Sequence, residues 1–174
     1  MTAVAGDFCD FIPVDQHRVG VLVADVSGHG VPAALIAAMM KMAVQSIVPC
    51  VIPQRDVLQG LNRMPSGQAS NQFVTAAYLY IDTENYNVRY SAAGHPPLLL
   101  SRAGTLNRIE SSGLVFGVRA QSDYPVRDIL ICPCDRLLLY TDGVMNPKMP
   151  KANHSGTLSL NRLFSAPRCA HLVS

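Results

Sequence analysis

ADVSGHGVPAAL, residues 24–35, runs from an apolar segment through a glycine turn into a helix. Two chemistries fit such a junction. Glycines between a strand and a helix can cradle a dinucleotide phosphate, whereas a carboxylate at the strand end, here Asp25, can hold a metal ion. The surrounding chain has to choose between them.

On its N-terminal side, Val19 to Val26 is nearly all apolar and β-rich, and reads as a strand buried on both faces. On its C-terminal side, Pro32 suits the first position of a helix, where its missing N–H is not needed. That helix is expected over Ala33 to about Val48, stopping at Pro49 and Pro53. Its nearly all-round apolarity places it between layers. A shorter helix fits Arg55 to Arg63. Gly28 to Ala33 matches G-x-G-x-x-A, but the region where a dinucleotide-binding unit carries its ribose-binding acid has none. A nucleophile elbow around Ser27 fails as well, because Asp25 stands where its first glycine belongs.

Beyond Gly67 the texture turns to strands. Phe73 to Ile81 and Tyr86 to Ala92 flank a turn at Asp82 to Asn85. Pro97 to Ser101 and Thr105 to Glu110 flank Arg102-Ala103-Gly104, and Arg127 to Cys132 and Arg136 to Tyr140 form a third pair around Pro133. Helices followed by antiparallel hairpins make an α+β chain, not a repeating βαβ one. Residues 1–147 read as one domain. Residues 148–174 are a weakly patterned segment in which Leu158 to Phe164 suits a short helix.

The 174 residues are 49% hydrophobic and 15% charged, enough apolar content for a core. A net charge of +2 without a basic block argues against nucleic-acid or membrane-surface binding. The apolar run from Val31 to Val48 is broken by Lys41 and Gln45 and is short for a bilayer. Asp7 and Asp10 come too early for a signal peptide. Five scattered cysteines make a poor disulfide framework and suit a reducing cytoplasm. Cys132-Pro133-Cys134 lacks the second pair that a zinc site needs.

Three aspartates share one local pattern, next to glycine or at the end of an apolar segment: Asp7 after Gly6, Asp25 after Val23-Ala24, and Asp142 before Gly143. Asp-Gly is also an ordinary turn pair. Carboxylates converging at buried strand ends need neutralising, and all-oxygen ligation suits Mg²⁺ or Mn²⁺ rather than zinc. LLLYTDGV lacks the second Asp of a haloacid-dehalogenase-type phosphatase, since Tyr140 stands there.

AGDFCDF, VADVSGHGVPAAL, FVTAAYLYID, SAAGHPPLLL, GLVFGV and DRLLLYTDGV occur in that order between Ala5 and Val144. Together they resemble the bacterial branch of PPM-type metal-dependent serine/threonine phosphatases, which includes sporulation and sigma-factor-regulating phosphatases. The resemblance implies a sandwich of two antiparallel β-sheets flanked by α-helices, here incomplete at both termini. It implies hydrolysis of phosphoserine or phosphothreonine by a water held between two Mn²⁺ or Mg²⁺ ions. Asp7 would bind one metal, Asp25 would bridge both, the Val26 carbonyl would complete the other metal's shell, and Asp142 would be a further ligand. Asp10, His29 and Gly143 would stand behind these ligands. His95 in Ala93-Gly94-His95-Pro96-Pro97 would fix a loop between strands, and Cys134 stands at a family turn position. The implied substrate is a phosphorylated STAS-type anti-sigma-factor antagonist. Uncovered sheet edges would favour a homodimer. The family carries another metal-binding acid late in the domain, whereas this chain has no Asp or Glu after Asp142. That difference keeps a second reading open, a catalytically silent fragment or regulatory binding module.

Overall fold

A computed structural model describes residues 6–47, 55–63 and 72–141. Asp142, Gly143 and the segment 148–174 lie outside them. The chain divides into two compact units, Met1–His95 with Ser111–Leu130, and Pro96–Glu110 with Ile131–Ser174.

The first unit holds a five-stranded antiparallel sheet and both helices. Its strands are β1 (Phe8–Pro13), β2 (Arg18–Val26), β3 (Val74–Asp82), β4 (Asn87–Ala93) and β7 (Arg127–Leu130), in the order β1-β2-β3-β4-β7. The helices are α1 (Val31–Ile47) and α2 (Arg55–Asn62), inserted between β2 and β3. β2 alternates: Leu22, Ala24 and Val26 are buried, and the residues between them are half-buried. Its buried face meets Ala33, Met40 and Val44 of α1 and Val57, Leu58 and Leu61 of α2 in one core. The expectation of equal burial on both faces is therefore corrected. A sheet with helices on one face needs period-two patterning, and the apolar alternates at Val21 and Val23 concealed it.

α1 differs from expectation in the same way. Its inner face is buried, but Val31, Leu35 and Met42 are 66%, 60% and 67% exposed. Residues three and four apart share a helix face, so these side chains form an apolar stripe turned away from the core. β1 was not read from the sequence. Its inward residues are Phe8, Asp10 and Ile12, while Phe11 points outward, so polarity and burial are out of step there.

The second unit holds a three-stranded antiparallel sheet of order β6-β5-β8, with β5 (Leu98–Arg102), β6 (Thr105–Ile109) and β8 (Arg136–Leu138). The expected pairing of the two segments around Pro133 is thus corrected. β7 pairs with β4 and β8 pairs with β5, each in its own sheet. The cause lies at Asp135. Its carboxylate accepts from Cys132 N–H at 2.8 Å and takes the Arg102 guanidinium at the end of β5, which holds its pKa below the usual carboxylate value. Asp135 N–H also donates to the Cys132 carbonyl, and Cys134 sits at a φ of 71°, so Cys132 to Asp135 is a turn leading into β8.

Tyr78 on β3 is 3% exposed, and burial, helped by the neighbouring Tyr80, pushes its phenol up to about 12. An unfolded tyrosine ionises near 10. The neutral phenol is thus favoured by folding, and this contribution is complete below about pH 10 and lost as pH rises through about 12. The unfolding free energy of the parent chain, read from urea titrations, is expected to fall across that window by an amount on the order of 3 kcal/mol. A Tyr78→Phe variant should show a shallower decline. Parallel pH curves for the two proteins would refute the assignment.

Candidate functional site

The candidate ligands among the described residues, Asp7, Asp25 and Val26, lie at one end of the first unit's sheet. The β1–β2 ladder ends with Phe8 opposite Ala24. Asp7 and Asp25 are the next residues on either side, so the hairpin brings both just beyond its last rung. Asp25 also stands opposite Thr75, and Val26 opposite Val74, on β3. Because side chains alternate along a strand, Asp25 projects to the face away from the buried Ala24 and Val26.

Gly6 sets the backbone approach. A Cβ there would lie 2.7 Å from the Val26 carbonyl oxygen and 3.0 Å from Val26 Cβ. Only glycine lets the start of β1 lie flat against that carbonyl. The carboxylates of Asp7 and Asp25 and the carbonyl of Val26 are all oxygen donors, the type that suits a hard divalent cation. Among the described residues, no three His, Cys, Asp or Glu side chains form a group that could hold a metal ion. The third expected carboxylate, Asp142, and its neighbour Gly143 lie outside those residues.

After Val26 the chain turns sharply. Gly28 and Gly30 take φ values of 95° and 80°, the left-handed region that glycine enters without strain. The Gly30 carbonyl accepts from Ala34 N–H at 3.2 Å and so starts α1. His29 lies exposed on this turn. Asp10 sits on the inward face of β1, 3.8 Å from Lys41 Nζ of α1, and so ties helix to strand. His95 is 7% exposed, with its Nδ1 3.4 Å from Thr75 Oγ1. Thr75 is thus a neighbour of both Asp25 and His95. Sequence reading missed this link, although Thr75 stands inside the FVTAAYLYID motif.

The loop after β6 completes this end of the sheet. Val74 and Phe116 exchange backbone hydrogen bonds at 3.3 and 2.9 Å, so GLVFGV continues the sheet beside β3. Asn62 of α2 reaches the same loop, donating to the carbonyls of Arg119 and Ala120 and accepting from Gly117 N–H.

The family model for stage II sporulation protein E matches residues 15–173. Phosphoserine phosphatase RsbU of Bacillus subtilis is 31% identical over 144 residues, 81% of this chain and 43% of that protein. Phosphoserine phosphatase RsbP of the same organism is 30% identical over 150 residues, 83% of this chain and 37% of that protein. The chain thus spans less than half the length of these relatives. Among solved structures, the RsbU and RsbW domains of a Mycobacterium tuberculosis protein superpose with a TM-score of 0.79 at 26% identity, covering 93% of this chain and 45% of that one. The PP2C phosphatase domain of SpoIIE from B. subtilis superposes at 0.78 and 17% identity, over 96% of this chain and 50% of that one. RsbX, solved in complex with magnesium, superposes at 0.69 and 17% identity, over 94% of this chain and 81% of that one.

Proposed function

The chain belongs to the SpoIIE family, the sporulation and sigma-factor-regulating branch of bacterial PPM-type phosphatases, and from that premise we propose that it is a metal-dependent phosphoprotein phosphatase acting on phosphoserine or phosphothreonine. One observation carries the reading. The β1–β2 hairpin places Asp7 and Asp25 just beyond its last rung, Phe8 opposite Ala24, with Gly6 close against the Val26 carbonyl.

Asp7, Asp25 and the Val26 carbonyl would hold Mn²⁺ or Mg²⁺, with Asp25 shared between two ions and Asp142 as a further ligand. The cations, when bound, supply the Lewis acidity that phosphate-ester hydrolysis needs. The chain's own residues do the positioning. The antiparallel ladder with β3 fixes the direction of Asp25, and Thr75 links that rung to His95. The Lys41–Asp10 pair holds the first turns of β1 under α1. His29, exposed on the turn, is assigned no proton transfer.

The substrate we infer is a phosphorylated STAS-type anti-sigma-factor antagonist, in line with relatives named as phosphoserine phosphatases of the Rsb group. No helix among the described residues is long and apolar enough to cross a membrane. A cytoplasmic setting is part of the proposal, since that is where such a partner would be met.

Hydrolysis of p-nitrophenyl phosphate and of a phosphoserine-bearing STAS protein is expected to require added Mn²⁺ or Mg²⁺ and to stop with excess EDTA. Turnover that ignores EDTA would sink the metal reading. Absence of turnover from folded chain that binds Mn²⁺ would favour the silent module.

A further inference from the structure

Ser27 directly follows the Val26 carbonyl and is held at three atoms. Its N–H donates to the Phe73 carbonyl at 2.9 Å. Its Oγ accepts from the Phe73 N–H at 2.9 Å. Its own carbonyl accepts from Gln72 Nε2 at 3.2 Å. The Val26 carbonyl and the Ser27 N–H belong to one planar peptide unit and point in opposite directions. Fixing the N–H on Phe73 therefore fixes the direction of the carbonyl. Gly6 allows the opposing backbone to close on that oxygen from the other side.

We propose that Ser27 and Gln72 are positioning residues that aim the Val26 carbonyl at a divalent cation shared with Asp25. This rests on the metal reading given above and adds residues that touch neither cation nor substrate. The side chains of Ser27 and Gln72 act on the ligand through the backbone between them. A hydroxyl is needed at residue 27 because Oγ must accept from Phe73 while the main chain around it stays in strand-end geometry. Thr meets that need and Ala does not. Residues behind metal ligands commonly tune affinity about 10–100-fold.

The test is Mn²⁺ affinity, measured by electron paramagnetic resonance on the full chain stripped of metal, with melting temperatures recorded alongside. Ser27→Ala and Gln72→Ala are each expected to weaken Mn²⁺ binding by about 10-fold or more, with melting temperature unchanged because the freed Phe73 N–H can turn to water. Ser27→Thr should restore parental affinity. Parental affinity in both alanine variants, with binding lost in Asp25→Asn, would overturn the positioning role while leaving the metal site standing. Parental affinity in Asp25→Asn, or no Mn²⁺ binding by the unsubstituted chain, would remove the site and the proposal together. Loss of affinity that follows a fall in melting temperature, without rescue by Thr, would reduce Ser27 to a structural role and also overturn it.

Discussion

Asp25→Asn should lower Mn²⁺-dependent phosphatase turnover by about 10²-fold or more while leaving the melting temperature within a few degrees of the parent. The substitution keeps the shape of the side chain and removes its charge. A neutral amide offers a cation one weakly basic oxygen, and under the proposed function Asp25 serves two ions at once. The fold has little reason to respond. Asp25 lies on the half-buried face of β2, and its backbone partner Thr75 stays in register whatever the side chain carries. The measurement is kcat/KM for p-nitrophenyl phosphate across a Mn²⁺ titration. Parental turnover at saturating Mn²⁺ would show that the chemistry resides elsewhere.

Asn62→Ala should destabilise the chain by about 2–4 kcal/mol, read as a lower urea midpoint. Asn62 is 1% exposed. Its Nδ2 donates to the Arg119 carbonyl at 2.8 Å and the Ala120 carbonyl at 3.1 Å, and its Oδ1 accepts from Gly117 N–H at 3.3 Å. Alanine deletes all of these bonds and leaves a hole at a buried position. The effect should also reach the candidate site. The loop that Asn62 holds begins just after Phe116, which pairs with Val74, and Val74 pairs with Val26. Phe116 is further locked edge-on against Tyr124, with ring centroids 5.6 Å apart. Weaker Mn²⁺ binding should therefore accompany the lower midpoint. A midpoint within about 0.5 kcal/mol of the parent would show that the loop holds itself.

The parts of the fold legible in the sequence were those written in local signals. The strand, glycine turn and helix of residues 18–47 announced themselves through β-branched residues, Gly28, Gly30 and Pro32. The β5–β6 hairpin was legible from Arg102-Ala103-Gly104, where Ala103 and Gly104 take left-handed φ values of 49° and 82°. Non-local choices were not legible. β7 and β8 are neighbours in sequence, yet each extends a different sheet, because Arg102 captures Asp135 from another hairpin. β1 was hidden because a charged residue faces inward to meet Lys41 while Phe11 faces out. The outer stripe of α1 misled in the opposite sense, since apolar composition does not say which face is covered. In the site, Asp7, Asp25 and Val26 were legible as a family pattern. The contact of Ser27 with Gln72 and Phe73 was not, because it joins residues far apart in sequence that carry no mutual signal.

The insertion of both helices between β2 and β3 has a kinetic consequence. β1 with β2, and β3 with β4, are hairpins whose turns close over a few residues, an event of microseconds. Zipping β2 onto β3 instead requires Val26 to meet Val74 across a loop of roughly fifty residues, with a length-dependent entropy of about 3 kcal/mol. Early helix formation shortens that search, but non-local pairing of this kind is expected to be slower than hairpin closure. The two carboxylates just beyond the last β1–β2 rung are thus placed by fast local zippering. The direction of the Val26 carbonyl, set by Phe73 beyond the crossing, is a product of the slow step.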